Sequence, residues 1–478
     1  MGKYKNLVLN TALFAVNAVA TKLISFFLVP LYTTYMSAGE YGLTDMSLTV
    51  ISLITPLVTL DVSEAAVRYI VGDRKNGDEY AAISVAVVLL SVLIVLIASP
   101  LLDFGAFGGL GDYKGWFVLA YTTSAFMNLF GAIARAVDRV KIIPACAAAS
   151  SITTLLTAVV LIGQLRLGVA GYFISVSVGP AVAMLAYLTV GKMGGMIVRG
   201  TRCLATSEFS EVKGLVTPMV RYAAPLIPNS LFWWAGTSIN RLFITGMMGI
   251  SSSGLFAAAG KVPNLLNTAY SIFQQAWQLS VFQEANKKGD LASFYSMVFR
   301  LVSAGLTVLC AVLSLLAPAL ASILLRGETF VAWPMIPLLL IANLMNVFNS
   351  FYGTIYTSTL HTAYVMRTTI FGALSCVIFT PLLIPVAGTY GACVASIIGQ
   401  ALVFIMRARD SRRYVAFDAG WGILAPTLMV LLLQSLATSL QVPYWLPLSL
   451  CCCAMIAIVQ TRRLLPVLGV LRGRGQGN

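Results

Sequence analysis

Long apolar runs follow one another along the chain, separated by short polar breaks. They cover residues 8–33, 43–70, 81–102, 116–137, 142–163, 169–190, 219–247, 254–283, 293–316, 333–358, 364–385, 390–407, 421–441 and 444–461. A helix needs about 20 mainly apolar residues to cross the hydrocarbon core of a bilayer. Each run is approximately that long. The pattern predicts an all-α polytopic membrane protein with about 14 transmembrane helices. The first run continues to Tyr32, too long for the apolar core of a signal peptide, although Ala18-Val19-Ala20 resembles a cleavage site. Asn6 stands where N-myristoylation requires Ser or Thr.

Composition agrees with the pattern. Of 478 residues, 59% are hydrophobic and only 10% charged, with a mean hydropathy of +0.88. A soluble domain carries about 25% charged residues, so a soluble globular protein is excluded. The net charge is +14, which in a soluble protein would suggest a nucleic-acid partner. Here its distribution records topology. Lys3 and Lys5 place the N-terminus inside by the positive-inside rule. An even number of spans then returns Arg462, Arg463, Arg472 and Arg474 to the same side. Only Lys114, Arg166 and Arg326 fall in predicted outside loops, so nucleic-acid binding gains no support. The longest loop, about 191–217, is basic and expected inside; His361 is read as an inside loop residue.

Candidate chemistry is sparse. The eight cysteines show no CxxC spacing, and all but Cys203 sit in apolar runs. They are expected to act as small hydrophobes, with neither a disulfide framework nor a zinc site. No metal or cofactor is expected. The glycine-rich GAFGGLG at 105–111 lacks the Lys-Ser/Thr of a phosphate loop. The outside loops are too short for a catalytic domain, so no enzyme is expected; a membrane glycosyl polymerase or ligase would need a sizeable outside loop.

A shift of 212 residues places Asn17 on Asn229, Gly42-Leu43 on Gly254-Leu255, and KNGD (75–78) on KKGD (287–290). Later the offset grows. Trp116 matches Trp333, and Gly168, Gly171 and Gly179 match Gly388, Gly391 and Gly399. Small loop insertions produce such drift. The expected organisation is an N-lobe of six helices (1–190), an inside linker (191–217), a C-lobe of six helices (218–410), and two further helices with a basic tail (411–478). Six helices per half give both lobes one orientation, related by a pseudo-two-fold axis along the membrane normal. Transporters built from such repeats hold substrate between the halves and rock one against the other.

Charges within the runs are the candidate site. Residues 61–70 read DVSEAAVRYI, and Asp61, Glu64 and Arg68 share one helical face at i, i+3, i+7. Glu64 precedes Arg68 by four, the order that favours an intrahelical ion pair. Asp61 lies roughly 10 Å deeper than Arg68 at 1.5 Å per residue. Asp61, Glu64 and Asp45 are candidates for coupling a proton or sodium ion. Lys22, Arg241 and Lys261 lie well within the first, seventh and eighth helices and suggest an anionic substrate; Lys22 could instead pair with Asp45 or Asp61. Arg221 and Arg300, near inside ends, can reach the headgroups. Asn17, Asn229 and Asn240 are candidates for sugar contacts, or for interhelical hydrogen bonds.

The stretch LVPLYTTYMSAGEYGLTDMSLTVISLITPLVTLDVSEAAVRYI resembles the Wzx-type polysaccharide flippases of the multidrug/oligosaccharidyl-lipid/polysaccharide (MOP) exporter superfamily. The marks are EYG..D (Glu40, Tyr41, Gly42, Asp45) and EA..R (Glu64, Ala65, Arg68). The resemblance implies two six-helix lobes around a cationic cavity in a bacterial cytoplasmic membrane, with both termini inside. It implies alternating-access export of an undecaprenyl-diphosphate-linked oligosaccharide for cell-surface polysaccharide, coupled to a proton or sodium gradient, beside polysaccharide polymerase machinery. A cation-coupled drug exporter would favour acidic binding residues over this cationic set. A lipid II flippase shares the cationic logic but fits the two marks less well.

Overall fold

The computed structural model describes residues 26–286, 291–359 and 361–475. Among these there are helices and no strands. Ten helical stretches are long and apolar enough to cross a membrane. Their outer faces suit lipid: on one of them Leu89, Leu90, Leu93, Leu96 and Ile97 are all exposed. The chain separates into two compact units, one reaching to Trp234 and including Met248–Gly254, the other holding Ala235–Met247 and Leu255 onward.

The first unit opens with α1 (26–35) and α2 (Ala38–Val58). Ser37 caps α2: its hydroxyl accepts the Glu40 N–H at 3.2 Å, and the Glu40 carboxylate accepts the Ser37 N–H at 2.8 Å. Two amides that the helix cannot satisfy are thereby paired. The predicted second span is broken. After α2 the chain turns through Thr59–Asp61 and restarts as α3 (Val62–Gly72). The helices α4 (Gly77–Ala98), α5 (Lys114–Ala136), α6 (Ile142–Ala158) and α7 (Gly168–Thr189) follow. A π-helical stretch, Val159–Gln164, extends α6.

Residues 191–217 are not an irregular loop. They fold as α8 (Met193–Thr206) and the start of α9 (Phe209–Ala223). Buried Met193, Met196 and Gly200 form one face of α8, and it packs on α4, where a methyl group at Gly200 would overlap the Asp78 carbonyl. The Tyr69 hydroxyl donates to the Pro218 carbonyl at 2.9 Å and ties α3 to α9.

Two glycines that the repeat aligns meet in this unit. A side chain at Gly42 would overlap the Ile250 carbonyl, and one at Gly254 would overlap the Ala38 carbonyl. Backbones approach this closely only where neither residue has a Cβ. The glycine of EYG is therefore a packing residue, and the glutamate of the same motif is a helix cap.

The second unit contains Ala235–Met247 of α10 (Leu226–Met248), the second half of α11 (Ile250–Ala259), α12 (Pro263–Asn286), α13 (Leu291–Leu315), the short α14 (Ala317–Leu324) and α15 (Ile336–Ser358). Next come α16 (Thr362–Asp410), α17 (Trp421–Ser439) and α18 (Trp445–Gly475). Gly388 (φ 58°, ψ −137°) breaks α16 and separates the runs 364–385 and 390–407. This backbone geometry is readily available only to glycine. Most of α15 is buried, and its Phe351 stacks on Trp277 with ring centroids 4.9 Å apart.

The last two helices pack onto α13 and α15. Gln434 donates to the Ala311 carbonyl at 2.9 Å and to Ser449 at 3.0 Å. In the α16–α17 loop the Asp418 carboxylate accepts the Gly420 N–H at 2.8 Å and pairs with Arg300. The Gly420 amide, with Arg300 beside it, holds the Asp418 carboxyl below the usual carboxylate range.

Candidate functional site

Two of the sequence candidates, Asp61 and Lys261, lie where a predicted span is interrupted, one in each unit. In the first unit, Pro56 lies near the end of α2, and Leu60 (φ 53°) and Asp61 (φ 49°) adopt the left-handed conformation. That conformation costs about 1–2 kcal/mol for a non-glycine residue, so the surrounding packing must hold it. Asp61 occupies the N-cap of α3 but does not use its side chain as a cap. Its carboxylate accepts instead from the Ser230 hydroxyl at 3.2 Å, from the first part of α10. Trp234, one turn further on, donates its indole N–H to the Thr49 carbonyl at 3.0 Å and to Ser52 at 3.1 Å. The first part of α10 is thus fastened along α2, with Asp61 at the break. Eleven residues of α3 follow, so Asp61 sits roughly 16 Å from the far end of that helix.

Glu64 and Arg68 are both exposed, and no ion pair joins them among the described residues. The expected intrahelical pair is therefore not formed; exposed i, i+4 pairs are worth only about 0.3–0.5 kcal/mol, too little to fix two long side chains. Because α3 begins after Asp61, that residue also leaves the continuous helical face that the spacing predicted. Asp45 is buried within α2 at 7% exposure.

In the second unit the eighth run is broken as well. After α11, Gly260, Lys261 and Val262 form a turn, and Pro263 starts α12. Proline lacks an N–H and disfavours the helical conformation of the residue before it. Lys261 thus sits at a helix break and is half-buried, with its N–H bonded to the Ala258 carbonyl at 3.1 Å. Arg241 is half-buried on the part of α10 that belongs to this unit. Nearby on the same helix, Asn240 is 6% exposed. It donates to Ser396 at 2.6 Å and accepts from Thr380 at 2.6 Å. Both ends of its amide are committed to the two segments of α16, the interhelical alternative to sugar contact. Asn267 of α12 bonds Asn343 of α15. Asn229, in the first unit, is exposed. Lys22 and Asn17 lie outside the described residues.

One charged residue escaped the sequence reading. Arg407 is only 7% exposed, and its guanidinium is held by neutral groups. It donates to Thr368 at 2.9 Å, to the Asn349 carbonyl at 2.7 Å, and to Val365 and Thr369 at 3.3 Å. It joins the two segments of α16 to α15. The signal that marks it is the small Gly353, which leaves room beside the guanidinium.

A family model described as "Polysaccharide biosynthesis protein" matches residues 7–278, more than half of the chain. The chain belongs to that family. Within the matched span of this polysaccharide biosynthesis protein lie the α2–α3 break, all of α10 and Lys261. Solved transporter structures share its fold. The lipid II flippase MurJ, inward closed, aligns with a TM-score of 0.68 at 13% identity, over 96% of this chain and 99% of that one. An inward-facing multidrug resistance transporter of the MATE family and MOP superfamily gives 0.65 at 15%, over 84% and 98%. A MOP superfamily transporter from Pyrococcus furiosus gives 0.57 at 15%, over 85% and 96%. No curated protein matches the sequence significantly.

Proposed function

We propose that the protein is a flippase that exports a lipid-linked oligosaccharide, carried on undecaprenyl diphosphate, across the bacterial cytoplasmic membrane. Two six-helix lobes would alternate access, both termini would face the cytoplasm, and a polysaccharide polymerase would take the product. The observation that carries this reading is the polysaccharide biosynthesis family match over residues 7–278, in a chain with a MOP transporter fold.

In this reading Lys22, Arg241 and Lys261 receive the diphosphate, since three cations in or near the membrane suit an anionic headgroup. Asp61, and secondarily Asp45 and Glu64, receive the coupling proton or sodium ion. The carboxylate of Asp61 is held by one neutral hydroxyl, which leaves lone pairs for a cation. Lys22→Gln or Arg241→Gln should abolish surface polysaccharide while the protein still reaches the membrane, measured by immunoblot of membranes and of extracted polysaccharide. Normal output from both variants would overturn the diphosphate assignment.

A further inference from the structure

A separate basic cavity lies wholly within the first unit. It has a volume of about 250 Å³ and forms where the α3–α4 turn, the end of α5 and the start of α8 meet. Buried Ile70, Ala136 and Met196 contribute an apolar floor. Arg74, Arg139, Lys192 and Arg199 are exposed at its rim. Two of these cations are neutralised: Arg199 pairs with Asp78 at 2.7 Å, and Arg74 with Asp138 at 2.7 Å. Arg139 and Lys192 enter no ion pair among the described residues. Arg139 is braced by donating to the Gly191 carbonyl, and Lys192 holds a left-handed backbone (φ 51°) at the start of α8. The cavity therefore joins an apolar floor to two uncompensated cations.

Its setting decides what fits. Val190, Val198 and Phe209 are exposed on and around α8, beside Arg199 and Arg202. A helix with exposed apolar residues and a basic side lies in the membrane interface. Basic pockets at the ends of membrane helices on the cytoplasmic side hold acidic lipid headgroups. We propose that this cavity binds the phosphodiester of an anionic glycerophospholipid, with the phosphate between Arg139 and Lys192 and the glycerol end of the chains over Met196. The site shares no residue with the diphosphate site proposed above; only its cytoplasmic placement rests on the topology of that reading.

The test uses the full chain in detergent, with phosphatidylglycerol, phosphatidylcholine of the same acyl chains, and inorganic phosphate as probes, read by native mass spectrometry. Phosphatidylglycerol should bind and phosphatidylcholine should not. The double variant R139Q/K192Q should weaken phosphatidylglycerol binding about thirtyfold, since each interfacial cation contributes roughly a fivefold change. R202Q, which removes a charge from α8 outside the cavity, should change it less than threefold. R139K/K192R, which keeps both charges, should retain binding. Equal binding of phosphatidylcholine would overturn the proposal. So would an equal loss in R202Q, a loss in R139K/K192R, or an unaltered R139Q/K192Q. Displacement of the lipid by millimolar inorganic phosphate would make the free anion the ligand and overturn the lipid assignment.

Discussion

The second and the eighth apolar runs are both interrupted, at different points along the run and by different means. In the first unit α2 runs for 21 residues before the break, and in the second half α11 runs for only 10. The first break is made by two left-handed residues, Leu60 and Asp61, neither of them glycine. The second is made by Gly260, Lys261 and Val262 ahead of Pro263, a sequence that stops a helix on its own. One break carries an acid and the other a base. A break tolerated inside a membrane protein frees backbone groups that must face protein or water. Both are therefore suitable places for polar chemistry, and their opposite charges suit different ligands.

The largest expected effect separates the two breaks. Lys261→Gln should weaken apparent affinity for a diphosphate-linked substrate about 10- to 100-fold, the range for losing a hydrogen bond to a charged group, with the ion dependence retained. Asp61→Asn should flatten the pH or sodium dependence of transport and change substrate affinity less than about threefold, a difference under 1 kcal/mol. Reconstituted flipping under imposed gradients measures both; identical profiles would erase the distinction.

A smaller effect is expected at Asn240. Asn240→Leu removes both bonds to α16 and should lower stability by about 1–2 kcal/mol, since interhelical hydrogen bonds in membranes average about 0.6 kcal/mol and reach about 1.7. Thermal unfolding in detergent should register this while substrate affinity stays unchanged. A selective affinity loss would return Asn240 to the sugar site.

The smallest concerns the first break itself. Leu60→Gly removes the left-handed penalty and should raise stability by at most about 1 kcal/mol, because glycine also has more freedom to lose on folding. The corresponding change at the second break, Val262→Gly, has no left-handed residue to relieve and should lower the melting temperature. Thermal melts of the pair test whether the two breaks are built differently.

Much of the fold was legible in the sequence. The apolar runs gave the helices, whereas Gly388 entered only as a repeat match, and its role as the break in α16 came from the structure. The matched glycines at 42 and 254 were legible as a repeat, although their mutual contact was not. The α8 helix left a readable signal, since Met193, Met196 and Gly200 recur at helical spacing within a stretch that basic residues made look like a loop. The break at Leu60–Asp61 left only Pro56 as a signal, since a proline permits bending without fixing where the helix ends. Arg407 was hidden because its burial depends on the room beside Gly353 and on acceptors from α15 and from the other segment of α16.

The sequence by itself determined that the chain is helical and that its long apolar segments suit a membrane. These follow from the transfer of each segment between water and hydrocarbon, a sum over local residues that needs no partner. Tertiary structure alone decided that Asp61 turns from capping α3 to accept from Ser230, 169 positions away in the chain, that Glu64 and Arg68 stay apart, and that Asn240 spends its amide on α16. Those outcomes depend on which backbone and side-chain groups arrive opposite one another, and a left-handed residue or a buried polar group persists only where packing from distant segments holds it.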